Sequence, residues 1–107
     1  MTIREITPRE LQTMLATGTE RPLLLDVREP WEAEIAQLPG SMLIPLRSLP
    51  QRLQEIPASE EVAIYCHHGM RSLAAAEFLE SHGYTVMSLA GGIDLWAREI
   101  DPTIAKY

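Results

Sequence analysis

Val62-Ala63-Ile64-Tyr65-Cys66-His67-His68-Gly69-Met70-Arg71-Ser72 is the stretch whose reading decides the fold. Its first five residues are apolar or aromatic with two β-branched members, which reads as a buried strand. From Met70 the chain continues Arg71-Ser72-Leu73-Ala74-Ala75-Ala76-Glu77-Phe78-Leu79, an alanine- and leucine-rich run that reads as a helix, with Gly83 as its stop. The junction is a short loop with a glycine in it. The only cysteine of the chain thus stands at the end of a strand, just ahead of a helix N-terminus. Loop N–H groups and the positive end of the helix favour a thiolate there and would hold an anion attached to it. Arg71 adds a fixed positive charge nearby. Free cysteines are more often inert core fillers. The strand-end position, Gly69 and Arg71 together favour a nucleophile instead.

Outward from this junction, strand and helix signals alternate. Ile3 to Ile6 reads as a short strand. Thr7-Pro8-Arg9-Glu10 has the form of a capping box with proline at the first helical position, opening a helix through Leu11, Met14 and Leu15 that stops at Gly18. Leu23-Leu24-Leu25-Asp26-Val27 is a continuous apolar run, as a strand covered on both faces would be. Pro30 starts a short helix to Ala36, and Pro39-Gly40 makes a turn. Met42 to Ile44 is a short strand stopped by Pro45. Ser48-Leu49-Pro50-Gln51 reads as a second capping box, with a helix to about Ile56. Thr85 to Leu89 is the last strand, and Gly91-Gly92 turns into a final helix carrying Leu95 and Trp96. The tail from Asp101 has no periodicity and reads as a mobile end.

Alternation of this kind implies an α/β fold with a central, mostly parallel sheet of about five strands flanked by helices. In such sheets ligands bind beyond the carboxyl ends of strands. Cys66, the pair Asp26 and Arg28, and Gly91-Gly92 all lie there, so three segments converge on one edge.

The bulk numbers set the class. A chain of 107 residues suits one domain spanning residues 1–107, and such a domain buries roughly two-thirds of its unfolded surface. With 46% hydrophobic and 22% charged residues the composition is that of an ordinary globular protein. A lone cysteine forms no internal disulfide, and neither a signal-peptide run nor a membrane-spanning stretch is visible; the expectation is a cytoplasmic protein. The net charge of −6 speaks against nucleic-acid binding but not against a small anion held by local N–H groups.

Taken together, these residues resemble the rhodanese family of sulfurtransferases. Asp26-Val27-Arg28-Glu29, Pro39-Gly40-Ser41-Met42-Leu43-Ile44-Pro45, the loop from Cys66 to Ser72 and Gly91-Gly92-Ile93-Asp94-Leu95-Trp96 match its motifs in order, across about the whole chain. The chain departs where the family often has Gly-His-Ile; here it has Ala36-Gln37-Leu38. The resemblance implies a rhodanese-like three-layer sandwich of the single-domain type. It implies that Cys66 takes a sulfane sulfur from a small anionic donor such as thiosulfate and passes it, as a persulfide, to a thiophilic acceptor such as cyanide or a thiol. A sulfur-relay protein is a compatible partner, and no cofactor is implied. The loop residues His67, His68, Gly69, Met70, Arg71 and Ser72 would line the site.

For Arg71 the sequence leaves two roles open: contact with the donor's sulfonate, or a structural pair with a carboxylate, for which Asp26 and Glu29 are candidates. The structural role is favoured, because buried arginines require partners. Asp26 and Arg28 read as pocket supports. Adjacent histidines on a tight loop should point different ways, so at most one of His67 and His68 should face the pocket. Three histidines and one cysteine give poor support for a zinc site. Two rivals remain. A cysteine phosphatase or arsenate reductase is disfavoured because only four residues separate Cys66 from Arg71, against five in tyrosine-phosphatase-type loops. A non-catalytic binding module is disfavoured because the cysteine is kept.

Overall fold

The computed structural model describes residues 3–17 and 21–107. Five strands form one sheet: β1 (Glu5–Ile6), β2 (Leu23–Asp26), β3 (Met42–Leu43), β4 (Glu61–Tyr65) and β5 (Thr85–Leu89). Their order is β1-β5-β4-β2-β3 and every pairing is parallel. The helices are α1 (Pro8–Ala16), α2 (Pro30–Ile35), α3 (Leu49–Arg52), α4 (Met70–Ser81) and α5 (Gly92–Glu99). They cover both faces and complete the three-layer sandwich.

The period-two alternation of β4 divides the core. Val62, Ile64 and Cys66 join Leu25, Val27, Ala75, Ala76 and Leu79 on one face. Ala63 and Tyr65 join Leu11, Met87, Leu89, Ile93 and Trp96 on the other. Cys66 is therefore built into the face that α4 covers, and its direction follows from the strand's register.

Local chemistry explains most boundaries. Thr7 accepts from the Glu10 N–H at 3.1 Å while Glu10 Oε1 accepts from the Thr7 N–H at 2.8 Å, the reciprocal box that opens α1. The helix stop expected at Gly18 lies outside the described residues. The second box, at Ser48, does not form. Ser48 closes a 3₁₀ turn (Leu46–Ser48) and is itself helical (φ −93°, ψ −8°), with no side-chain cap bond. A cap needs extended backbone to turn its hydroxyl back onto the following N–H groups, and the preceding turn removes that option.

The tail also departs from expectation. Ile104 and Tyr107 pack against the second core cluster. The chain turns at Asp101, whose side chain accepts from the Thr103 N–H at 3.0 Å, and this brings Tyr107 back to the carboxyl edge of the sheet. No described helix is long and apolar enough to cross a membrane.

Candidate active site

Cys66 follows β4 directly and is 1% exposed. Two backbone N–H groups point at its sulfur: Gly69 N lies 3.1 Å from Sγ and Ser72 N lies 3.3 Å away. The Ser72 hydroxyl stands 3.6 Å from Sγ, bonds the Gly69 carbonyl at 3.1 Å and pairs with the Ser88 hydroxyl at 2.7 Å. The loop can close this tightly because Gly69 takes φ +109°, a conformation side-chain-bearing residues rarely adopt.

α5 presses on the back of the loop. Ile93 N donates to the Cys66 carbonyl at 2.9 Å and Asp94 N to the His67 carbonyl at 3.1 Å. With those carbonyls turned towards α5, the loop's N–H groups are left to face the sulfur. The approach demands glycine at 92, where φ is +60° and a Cβ would lie 2.4 Å from both carbonyl oxygens. The convergence of the Cys66 loop and the Gly91-Gly92 turn, expected from the fold class, is thus a direct backbone contact.

Arg71 pairs with a carboxylate, but with neither of the two candidates named from the sequence. Its Nη1 and Nη2 donate to Glu32 Oε2 and Oε1 at 2.7 and 2.8 Å, a bidentate pair joining the start of α4 to α2. Neither carboxylate proposed from the sequence is available. Asp26 accepts from Arg28 Nε at 2.9 Å and Nη2 at 2.7 Å, in a pair that is fully buried. Glu29 faces Arg47 at 3.1 Å. Glu32 is 3% exposed and also accepts from the Glu29 N–H and the Tyr107 hydroxyl, each at 2.9 Å. The Arg71 hydrogen bonds are the largest cause holding the Glu32 carboxyl down at about 2, against the burial that opposes them.

Asp26 and Arg28 form a fully buried ion pair. Arg28 also donates to the Ala36 carbonyl at 2.7 Å and to the Tyr107 hydroxyl at 2.9 Å. Ala36 and Leu38, at the departure from the family's usual sequence, are used structurally: the first as this acceptor, the second as a buried residue whose N–H donates to the Tyr65 hydroxyl at 3.2 Å.

The two histidines do not diverge. Their rings stack at 3.9 Å between centroids and 30° between planes, and the Tyr107 ring stacks on His67 at 3.9 Å and 7°. Trp31, 57% exposed, meets the Tyr107 ring edge-on at 6.0 Å. Tyr107 supplies what the sequence reading lacked, a flat partner that holds His67. Burial, then the neighbouring His68, lowers the His67 pKa and favours the neutral ring. Burial likewise pushes the Tyr107 phenol up to about 12, so it stays a hydrogen-bond donor. Met70 and His68 face solvent. A cavity of about 450 Å³ lined by Glu29, Leu46, Arg47 and Arg71 opens beside the loop.

Sequence reasoning missed Glu32 and Tyr107. Glu32 carried a faint signal, standing three residues after Glu29 at the start of a proline-led helix. Tyr107 carried none.

The Rhodanese-like domain family profile matches residues 7–99. A sulfurtransferase of Allochromatium vinosum is 39% identical over 104 residues, covering 96% of each chain. The probable adenylyltransferase/sulfurtransferase MoeZ of Mycobacterium tuberculosis is 35% identical over 95% of this chain, which spans only 26% of that protein. Among solved structures, a rhodanese-like domain protein from Staphylococcus aureus superposes with a TM-score of 0.85 at 28% identity, covering 98% of this chain and 99% of that one.

Proposed function

We propose, from the premise that the chain belongs to the rhodanese-like domain family, that it is a sulfurtransferase working through a persulfide on Cys66. The observation that carries this reading is the pair of N–H groups, from Gly69 and Ser72, aimed at a sulfur at the head of α4. The Cys66 thiolate attacks the outer, sulfane sulfur of a donor such as thiosulfate. The S–S bond of the donor breaks and sulfite leaves with the electron pair. A thiophilic acceptor, cyanide or a thiol, then attacks the terminal sulfur and restores the thiolate. Each step is a displacement at sulfur, so ping-pong kinetics follow. Backbone donors suit both stages, because they hold negative charge on either sulfur without reorganising. Arg71 acts through Glu32 to fix the loop, and Asp26 with Arg28 holds the floor beneath it. The cavity beside Arg71 offers room for the oxyanion end of a small donor. The partnership of a like domain with an adenylyltransferase in MoeZ makes a protein-bound donor or acceptor a second candidate beside small molecules.

Intact-mass spectrometry tests the intermediate. Thiosulfate should add one sulfur atom, about 32 Da, and cyanide should remove it. Cys66→Ser should show neither change. Retention of the full mass gain in that variant would remove Cys66 as the nucleophile.

A further inference from the structure

Apart from the sulfur and its donors, the carboxyl edge carries a second group of ligating atoms. His67, His68 and Asp94 each present one, and the three lie within 4.8 Å of one another. This group contains an anomaly. His67 Nε2 is shielded from water and has no hydrogen-bond partner; among the described residues it is the only buried side-chain nitrogen or oxygen in that state. Buried polar atoms are nearly always paired, and an orphan calls for an explanation such as a bound ion.

We infer that His67, His68 and Asp94 form a site for one divalent transition ion of the zinc class, joining the Cys66 loop to α5. Two imidazoles and a carboxylate are a nitrogen-rich set suited to Zn²⁺, Co²⁺, Ni²⁺ or Cu²⁺, and poorly suited to Mg²⁺ or Ca²⁺, which take oxygen. Three protein ligands leave one tetrahedral position for water.

The scaffold favours such a site. The Asp94 N–H donates to the His67 carbonyl at 3.1 Å, which fixes the acid's backbone against the loop. The Tyr107 ring on the far face of His67 holds that imidazole in place. His68 Nε2 already stands 3.9 Å from Asp94 Oδ2. A tetrahedral ion with bonds of about 2.0–2.1 Å brings its ligands to roughly 3.4 Å of one another, so the site must contract by about 1 Å or a little more. His68 supplies that movement: its side chain is 64% exposed, and its ring must rotate out of the stack to aim a nitrogen at the ion. Arg98 competes for the acid, donating to Asp94 Oδ2 at 3.1 Å from a side chain that is 62% exposed. It must swing into solvent, or the ion must take the other carboxylate oxygen.

The test is titration of the metal-free protein with Co²⁺ as a spectroscopic probe and Zn²⁺ in competition against a chromophoric chelator. Wild type and Cys66→Ser should each bind one ion, with d–d bands of a nitrogen–oxygen set and no sulfur-to-cobalt charge transfer. His68→Ala and Asp94→Asn should each weaken binding by at least tenfold; both side chains reach the surface, and circular dichroism of the metal-free variants checks their fold. Zn²⁺ at a hundred times its Kd should raise the Cys66→Ser melting temperature by roughly 10–20 °C. Loss of the ion in Cys66→Ser would place it on the thiol and overturn the site, as would wild-type affinity in both His68→Ala and Asp94→Asn. None of these readouts depends on sulfur transfer.

Discussion

Replacing Arg71 with alanine separates the two roles an arginine can play beside Cys66. In the structure it is a bidentate partner of Glu32 at 2.7 and 2.8 Å, and the carboxylate is almost fully buried. Glu32 titrates at about 2 rather than 4.5. That difference of about 2.5 in pKa corresponds to at most ~3.4 kcal/mol of stability at neutral pH. Arg71 is 36% exposed, so solvent screens the pair, and the Tyr107 hydroxyl and Glu29 N–H remain as donors. A loss of about 2 kcal/mol is the reasoned figure for Arg71→Ala, or roughly 8–15 °C in melting temperature for a domain of this size. The sign with pH is fixed by the lowered pKa. The contribution is complete above about 4.5 and is lost as pH falls towards 2. Urea titrations of wild type and Arg71→Ala should therefore differ most at pH 7, and the gap should shrink by roughly 40% at pH 3. Arg71→Lys, which keeps the charge without the fork, should fall between them. A variant that melts like wild type at pH 7 yet fails only with thiosulfate would refute the structural role. A gap that stays constant down to pH 3 would refute the assignment of Glu32 as the group responsible.

Three further outcomes follow from the same contacts. Gly92→Ala should lose both stability and sulfur transfer, because its Cβ would meet the Cys66 and His67 carbonyls at 2.4 Å at a positive φ; thermal melting and activity near wild type would show that α5 is not pressed on the loop as described. Tyr107→Phe keeps the stack on His67 but removes the hydroxyl between Arg28 and Glu32, and should lower stability by about 1–2 kcal/mol in urea titration; an unchanged midpoint would mean that these contacts carry no stability. Wild type should not hydrolyse p-nitrophenyl phosphate appreciably, since a loop with four residues between Cys66 and Arg71 closes on the sulfur itself; strong turnover that vanishes in Cys66→Ser would favour a phosphatase.

The parts legible from sequence are those set by local chemistry or strict period. β5 runs from Thr85 to Leu89 as its pattern predicts, and the box at Thr7 opens α1 where expected. The Cys66 loop could be read because a strand, a glycine and a helix start follow one another within a few residues. The partner of Arg71 could not, because Asp26, Glu29 and Glu32 lie within seven positions and tertiary contacts alone allot them. Asp26 goes to the arginine two residues on, whose backbone N–H it also accepts at 3.0 Å. Arg47 takes Glu29 from 18 residues away, leaving Glu32 for Arg71. Tyr107 reaches Arg28 across 79 positions and Glu32 across 75, with no periodic signal on the way. The histidine pair shows the same limit. Divergence is the local expectation for neighbours on a loop, and a tyrosine from the far end of the chain changes the outcome.

The allotment of charge bears on how an anion is held in a protein of net charge −6. Arg28, Arg47 and Arg71 are each paired with a carboxylate. The donors in direct contact with Cys66 Sγ are peptide N–H groups, from Gly69 and from Ser72 at the head of the twelve-residue α4, while Arg71 adds a carboxylate-paired charge without a hydrogen bond to the sulfur. The proposed sulfur transfer would benefit from that arrangement. A free guanidinium at the sulfur would bind a divalent donor strongly but would also retain the sulfite that must leave. N–H groups directed at the sulfur favour the atom that stays, in thiolate and persulfide alike, and exert less hold on the departing oxyanion. The paired arginines then serve to keep those N–H groups in place, so a loss of turnover in Arg71→Ala should accompany its loss of stability and extend to every sulfur donor tried.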